Sequence, residues 1–121
     1  MRNTKRPVQF YRFELVDLVF ELLAKGKPVE ATIRGTSMEP TAFDGDKVLV
    51  VPIMQFDCLH EGQIFAFKSE DSRHFVVHRI KKIDAEKRSI YEIGDNKSVG
   101  SYVPFDRVLG IVTKINGKFV E

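Results

Sequence analysis

From Pro28 onward the chain never returns to a helical period. Short runs rich in β-branched and aromatic residues follow one another instead, at Val29 to Arg34, Lys47 to Ile53, Gln63 to Lys68, His74 to Ile83, Ser89 to Ile93 and Val108 to Ile115. Turn formers separate them: Asp44-Gly45, Asp71-Ser72, Asp84-Ala85-Glu86 and Gly94-Asp95-Asn96. Strands this short, with close turns and no crossover helix, predict a mainly β fold built on an antiparallel, barrel-like sheet. The same pattern excludes a βαβ nucleotide-binding architecture, and no glycine-rich phosphate motif is present.

One helix precedes this region. Glu14, Asp17, Glu21 and Lys25 form a polar stripe at helical spacing, which predicts a helix over Arg12 to Lys25 with Gly26 as its cap. The rest of its circumference is apolar, wider than one sheet contact requires. That width points to burial on two sides, self-association, or peripheral contact with a membrane. The chain thus divides into a basic N-terminal segment with an amphipathic helix, residues 1–27, and a β domain, residues 28–121.

Composition narrows the partners. At 121 residues the chain is one domain with one modest core. Its 19 basic and 17 acidic side chains leave a net charge of +2, too small to predict a nucleic-acid partner. A single cysteine, Cys58, permits neither an intrachain disulfide nor a cysteine metal cluster, and reads as a small buried or half-buried residue. No metal and no cofactor are expected. The absence of a long apolar run or a secretory leader predicts a soluble, cytoplasmic chain, with peripheral membrane contact through helix 12–25 as the exception.

Three segments carry chemistry. In Gly35-Thr36-Ser37-Met38-Glu39-Pro40 a serine stands between a strand and a turn-rich stretch, where a hydroxyl is exposed and neighbouring N–H groups converge. A serine hydroxyl needs a base to become a nucleophile. His60 lies in a loop and His74 near a hairpin end, whereas His78 stands inside the apolar run Phe75 to Ile80, on the face of Val76 and Ile80. A ring placed there needs a polar partner, either as a catalytic base or as a buried structural histidine. Asp95, in Gly94-Asp95-Asn96, either accepts a hydrogen bond from the far nitrogen of His78 or shapes the loop as an Asx-turn. Met38 either lines a substrate pocket or packs in the core.

Together and in this order these segments resemble the signal peptidases and their relatives, the self-cleaving repressor peptidases. The strings are GTSMEPTAFDGDKVLV at Gly35 to Val50, GQIFAFK at Gly62 to Lys68, VVHRI at Val76 to Ile80, and IGDNKSV through VLGIV between Ile93 and Val112. The resemblance implies a coiled, mostly antiparallel β structure. It places Ser37 as nucleophile and His78 as general base, makes Asp46 structural and matches Asp95 to the aspartate of the Gly-Asp-Asn turn. A histidine base resembles the endoplasmic-reticulum and spore-former branch, since bacterial signal peptidases usually carry lysine there.

Three departures accompany it. Lys97 to Tyr102 contains no acid where histidine-base relatives often carry an aspartate. Gly35 stands where many carry a hydroxyl oxyanion donor, leaving backbone N–H groups and Thr36 for that task. Where membrane-anchored members carry a transmembrane segment, the sequence before the serine offers only the short helix Arg12 to Lys25, and the repressor branch is the less expected of the two. The expected function is a serine endopeptidase cutting a peptide or leader sequence, with a peptide or protein substrate as partner. The alternative is an inactive peptide-binding or accessory domain that retains the fold.

Overall fold

The computed structural model describes residues 8–10 and 16–120. Its elements are β1 (Val8–Phe10), α1 (Val16–Ala24), β2 (Val29–Thr32), β3 (Lys47–Val51), β4 (Ile64–Lys68), β5 (Phe75–Asp84), β6 (Ser89–Ile93), β7 (Ser101–Pro104), β8 (Val108–Ile115) and β9 (Lys118–Phe119). Single 3-10 turns occur at Phe56–Cys58 and Phe105–Arg107. The strands form one sheet in the order β1-β2-β3-β8-β4-β5-β6-β7, with β9 added to β8. Every pairing is antiparallel except β1 with β2. The fold is mainly β, with a single helix among the described residues.

Among the described residues the sheet does not close on itself, and β1 and β7 are its two ends. Register shifts at Leu49/Val50, Ala66/Phe67 and Ile80/Lys82 bend it. A bulged strand twists more strongly than a regular one, and this coils the sheet. Two cores result, one on each face. Ile64 and Ala66 of β4 join Val29, Val48, Val50, Met38 and Val77 in the first. Phe65 and Phe67 alternate into the second, with Ile80, Ile90, Val103 and Ile111. Burial on both faces is why β4 is written as an unbroken apolar run, Ile-Phe-Ala-Phe.

The strand limits have local causes. β3 stops at Val51 because Pro52 has no N–H for the ladder. β2 stops at Thr32, two residues earlier than the sequence predicts, although Ile33 still donates to the Asp46 carbonyl at 2.8 Å. β7 is not evident from the sequence: it is four residues long, begins with serine and ends in Pro104, a residue suited to an edge strand. The β4–β5 turn is closed on itself. Ser69 Oγ donates to Asp71, and the Arg73 and His74 amides donate to Asp71 and to Ser69 Oγ. Ser72 at its tip has φ of +61°.

The described part of the helix begins at Val16, so residues 12–15 of the predicted span lie outside the described residues. Val19 and Leu23, four apart, are buried in the first core, whereas Leu18 and Phe20 stay about two-fifths exposed, at 44% and 40%. Gly26 ends the helix at φ +81°, its N–H on the Leu23 carbonyl and that of Lys27 on Leu22. That paired closure is the Schellman motif, in which a left-handed residue is required. Cys58 is exposed, not buried as its neighbours suggest, because the 3-10 turn points Phe56 and Leu59 inward and Cys58 outward.

Phe65 is fully buried and stacks on Phe67 with ring centroids 5.0 Å apart. Phe65→Ala should lower stability by about 3–5 kcal/mol, from lost transfer energy and the cavity left behind. Urea denaturation would measure it, and a loss under about 1 kcal/mol would contradict this view of the core.

Candidate active site

Ser37 lies on a loop between β2 and β3 that is built from backbone turns. Gly35 has φ of +84°, a conformation L side chains avoid, and its N–H donates to Asp44 Oδ1 at 2.8 Å. The Gly35 amide is thereby occupied, so it is not a free oxyanion donor. The Ser37 N–H, by contrast, has no acceptor among the described residues. Asp46 accepts from the Phe43 amide at 2.8 Å and from Asn116 Nδ2 at 3.0 Å. Those two bonds, the backbone one first, hold its carboxyl below the usual carboxylate range.

Met38 is 1% exposed and anchors the loop in the first core. Its other side reaches a groove, so it forms a floor rather than an exposed wall. The turn after β6 grips the same loop from outside. Asn96 N–H donates to the Ser37 carbonyl at 2.8 Å, Asn96 Nδ2 to the Thr36 carbonyl at 3.1 Å, and Thr41 Oγ1 to Asp95 Oδ2 at 2.5 Å. Gly94 makes the closest approach: a Cβ there would sit 2.6 Å from the Ser37 carbonyl oxygen and 3.1 Å from His78 Nε2. No larger residue fits without moving the serine.

This grip brings Ser37 to His78. His78 Nε2 and Ser37 Oγ are 3.0 Å apart, and His78 Nδ1 lies 2.5 Å from Glu92 Oε1. The Phe67 ring flanks the imidazole edge-on at 6.0 Å. Glu92 projects from β6, where Ile90 and Glu92 are the buried positions, and its second oxygen accepts from Ser101 Oγ at 2.5 Å. Burial works to raise the Glu92 carboxyl. Hydrogen bonds from His78 and Ser101 outweigh it and leave the group below its usual range.

Asp95 is not on His78. The Arg79 guanidinium takes both its oxygens, Nε to Oδ1 and Nη2 to Oδ2, each at 2.7 Å, while Nη1 reaches the Gly62 carbonyl at 2.7 Å. A planar fork matched to both carboxylate oxygens outcompetes a single imidazole N–H. The Arg79 bonds, foremost, hold the Asp95 carboxyl below its usual range, and Asp95 raises the guanidinium in turn. Sequence reasoning thus missed Glu92 and Ser101. The available signal was parity: Glu92 shares its strand face with apolar Ile90, as His78 does with Val76 and Ile80. His60 and His74 are exposed and away from this cluster.

Beside Ser37 runs a groove of about 160 Å³ lined by Thr32, Ile33, Arg34, Met38, Phe75, Val76 and Val77. β5 pairs with β4 along Phe75 to Arg79 but with β6 only from Arg79 on. Among the described residues, its second edge at Phe75–Val77 is therefore unpaired. An extended peptide can add there as a strand.

A family model described as peptidase S24-like matches residues 12–112, most of the chain. The chain belongs to the peptidase S24-like family. A search of curated proteins finds no match. In this S24-like domain the matched span contains Ser37, His78, Glu92 and the Gly94–Asn96 turn. Among the described residues no cluster of His, Cys, Asp or Glu could hold a metal ion, and no helix is long and apolar enough to cross a membrane.

The Asp95–Arg79 pair has a pH signature. The folded-state pKa of Asp95 is depressed, so the pair's stabilisation is full above the unfolded value and is lost as pH falls through the folded one. Asp95→Asn should cost about 1–3 kcal/mol at pH 7, between exposed and fully buried ion pairs. The deficit should shrink below about pH 4, where Asp95 of the unfolded chain begins to bind protons while the folded carboxyl, held lower by Arg79, is still ionised. Urea midpoints at pH 7 and pH 3 would show it; a deficit independent of pH would contradict it.

Proposed function

We propose that this S24-like domain is a serine endopeptidase that cuts an extended peptide laid along the Ser37 groove. The observation that carries this is the 3.0 Å approach of Ser37 Oγ to His78 Nε2 at the end of that groove. Held in that position, Ser37 has the nearby base a hydroxyl nucleophile requires.

The chemistry follows from the hydrogen bonds. With the Nδ1 proton directed at the Glu92 carboxylate, Nε2 carries the lone pair and accepts the Ser37 proton. Ser37 Oγ then bonds to the scissile carbonyl carbon, whose oxygen becomes negative. The unoccupied Ser37 N–H is the donor available to that oxygen, in the manner of an oxyanion hole. As the carbon–nitrogen bond breaks, the imidazolium returns its proton to the leaving amine. A water, deprotonated by the same nitrogen, then hydrolyses the acyl-serine and frees Ser37. The groove suits a main chain in extended form, because Phe75–Val77 offers unpaired backbone groups and Met38, Ile33 and Val77 supply apolar contact.

A serine-directed acylating probe should label Ser37 stoichiometrically, and Ser37→Ala should abolish the label without changing the melting temperature. His78→Ala should lower kcat/KM by about a hundredfold or more, the usual worth of a general base. The reaction needs neutral imidazole, so activity should fall on acidification. Absence of labelling in the wild type would favour a peptide-binding domain instead. Full activity in His78→Ala would refute the mechanism.

A further inference from the structure

Glu92 is the buried charged residue among those described, at 6% exposed, and its surroundings are built around it. An ionised carboxylate in such a place is costly unless both oxygens are satisfied. Both are, by His78 Nδ1 and by Ser101 Oγ, each at 2.5 Å. Ser101 opens β7 directly opposite Glu92 in register. Gly100 lies so close to the Glu92 backbone that a Cβ would fall 1.6 Å from its carbonyl oxygen. The Gly100 N–H donates to the Tyr91 hydroxyl at 3.0 Å, which fixes the return from β6 to β7. The return thus places the Ser101 hydroxyl on the Glu92 carboxylate.

We propose that Glu92 is the positioning acid of the Ser37–His78 pair, with Ser101 holding its carboxylate in line, while Asp95 serves the serine loop. This rests on the peptidase reading above. Glu92 accepts the Nδ1 proton, which leaves Nε2 as the acceptor for Ser37. When Nε2 takes the serine proton, the carboxylate stabilises the imidazolium and stays ionised itself. Its anionic form is the favoured one at neutral pH, since its bonds hold it below the usual range. The other charges nearby do not compete. Asp95 acts on His78 only through space and is matched by Arg79, and β4 presents the uncharged rings of Phe65 and Phe67.

The test combines kinetics with proton NMR of the full chain. A carboxylate-bound imidazole N–H gives a far-downfield resonance. Wild type should show it, Asp95→Asn should keep it, and Glu92→Gln, similar in shape, should lose it. Glu92→Gln should also lower kcat by about a hundredfold or more, with KM little changed. Glu92→Asp should recover part of the rate. Ser101→Ala should shift the resonance and reduce kcat by a smaller factor, and Ser101→Thr should restore both. A folded Glu92→Gln that keeps the signal and the rate overturns the assignment, as does loss of the signal in Asp95→Asn. Should Glu92→Gln not fold, an unmoved signal in Ser101→Ala overturns the role of Ser101, and a shift reversed by threonine supports it. If wild type shows the resonance but Ser37 resists acylation, the peptidase reading fails and the positioning role falls with it. Acylation of Ser37 without dependence on Glu92 overturns this inference alone.

Discussion

The loop that carries Ser37 has no strand of its own. It leaves the sheet at Thr32, rejoins it at Lys47, and between these points is held by its own turns, by buried Met38 and by a turn from the other end of the domain. The Asn96 amide on the Ser37 carbonyl, with Gly94 pressed against both Ser37 and His78, is the contact on which the site depends. Its reach is large, since it joins residues nearly sixty positions apart, and closing such a loop is entropically unfavourable. Met38 in the core and Arg79 on Asp95 supply the stabilisation that offsets this, one through burial and one through charge. Fold and site are therefore a single construction: what fixes the loop also sets the distance between serine and histidine.

The electrostatics divide into two systems that share a strand. His78 and Arg79 are neighbours on β5 and face opposite ways, so their carboxylates come from different places, Glu92 from the strand and Asp95 from the turn. Taking a carboxylate such as Glu92 out of water costs several kcal/mol. Two hydrogen bonds to an ionised group return about 1.5–3 kcal/mol each, so Glu92 adds little net stability. An apolar residue on that face would stabilise the sheet at least as well. On the proposed reading, Glu92 is accounted for by what it does to the histidine.

Much of this was legible in the sequence. The strands at Lys47, Ile64, Phe75, Ser89 and Val108 follow from β-branched runs bounded by turns, and the helix follows from its polar stripe and Gly26. Ser37 and His78 stand out because each is polar where its surroundings are not. The carboxylate beside His78 was harder to find. Asp95 sits in an eye-catching turn, yet which base partner a turn aspartate meets depends on the side chain beside it, and the Arg79 guanidinium binds it more completely than an imidazole can. Glu92 hides within a strand whose alternation alone shows that it points inward. β7 escapes because its pattern is too short to register, and Ser101 escapes with it.

The self-contained turn between β4 and β5 has a consequence for how the domain could be divided. Ser69, Asp71, Arg73 and His74 bond to one another across it, and no residue from Ser69 to His74 belongs to either core, so a break in the chain at Ser72 would sever no contact of the cores. Such a break would put Ser37 on one fragment and His78, Glu92 and the gripping turn on the other. The fragments would meet again along the five-residue ladder of β4 with β5 and across the pairings of β8 with β3 and with β4. Neither half would hold Ser37 beside His78, so that contact would exist only in the reassembled pair. The serine–histidine contact would in that sense report the association of the domain's own halves.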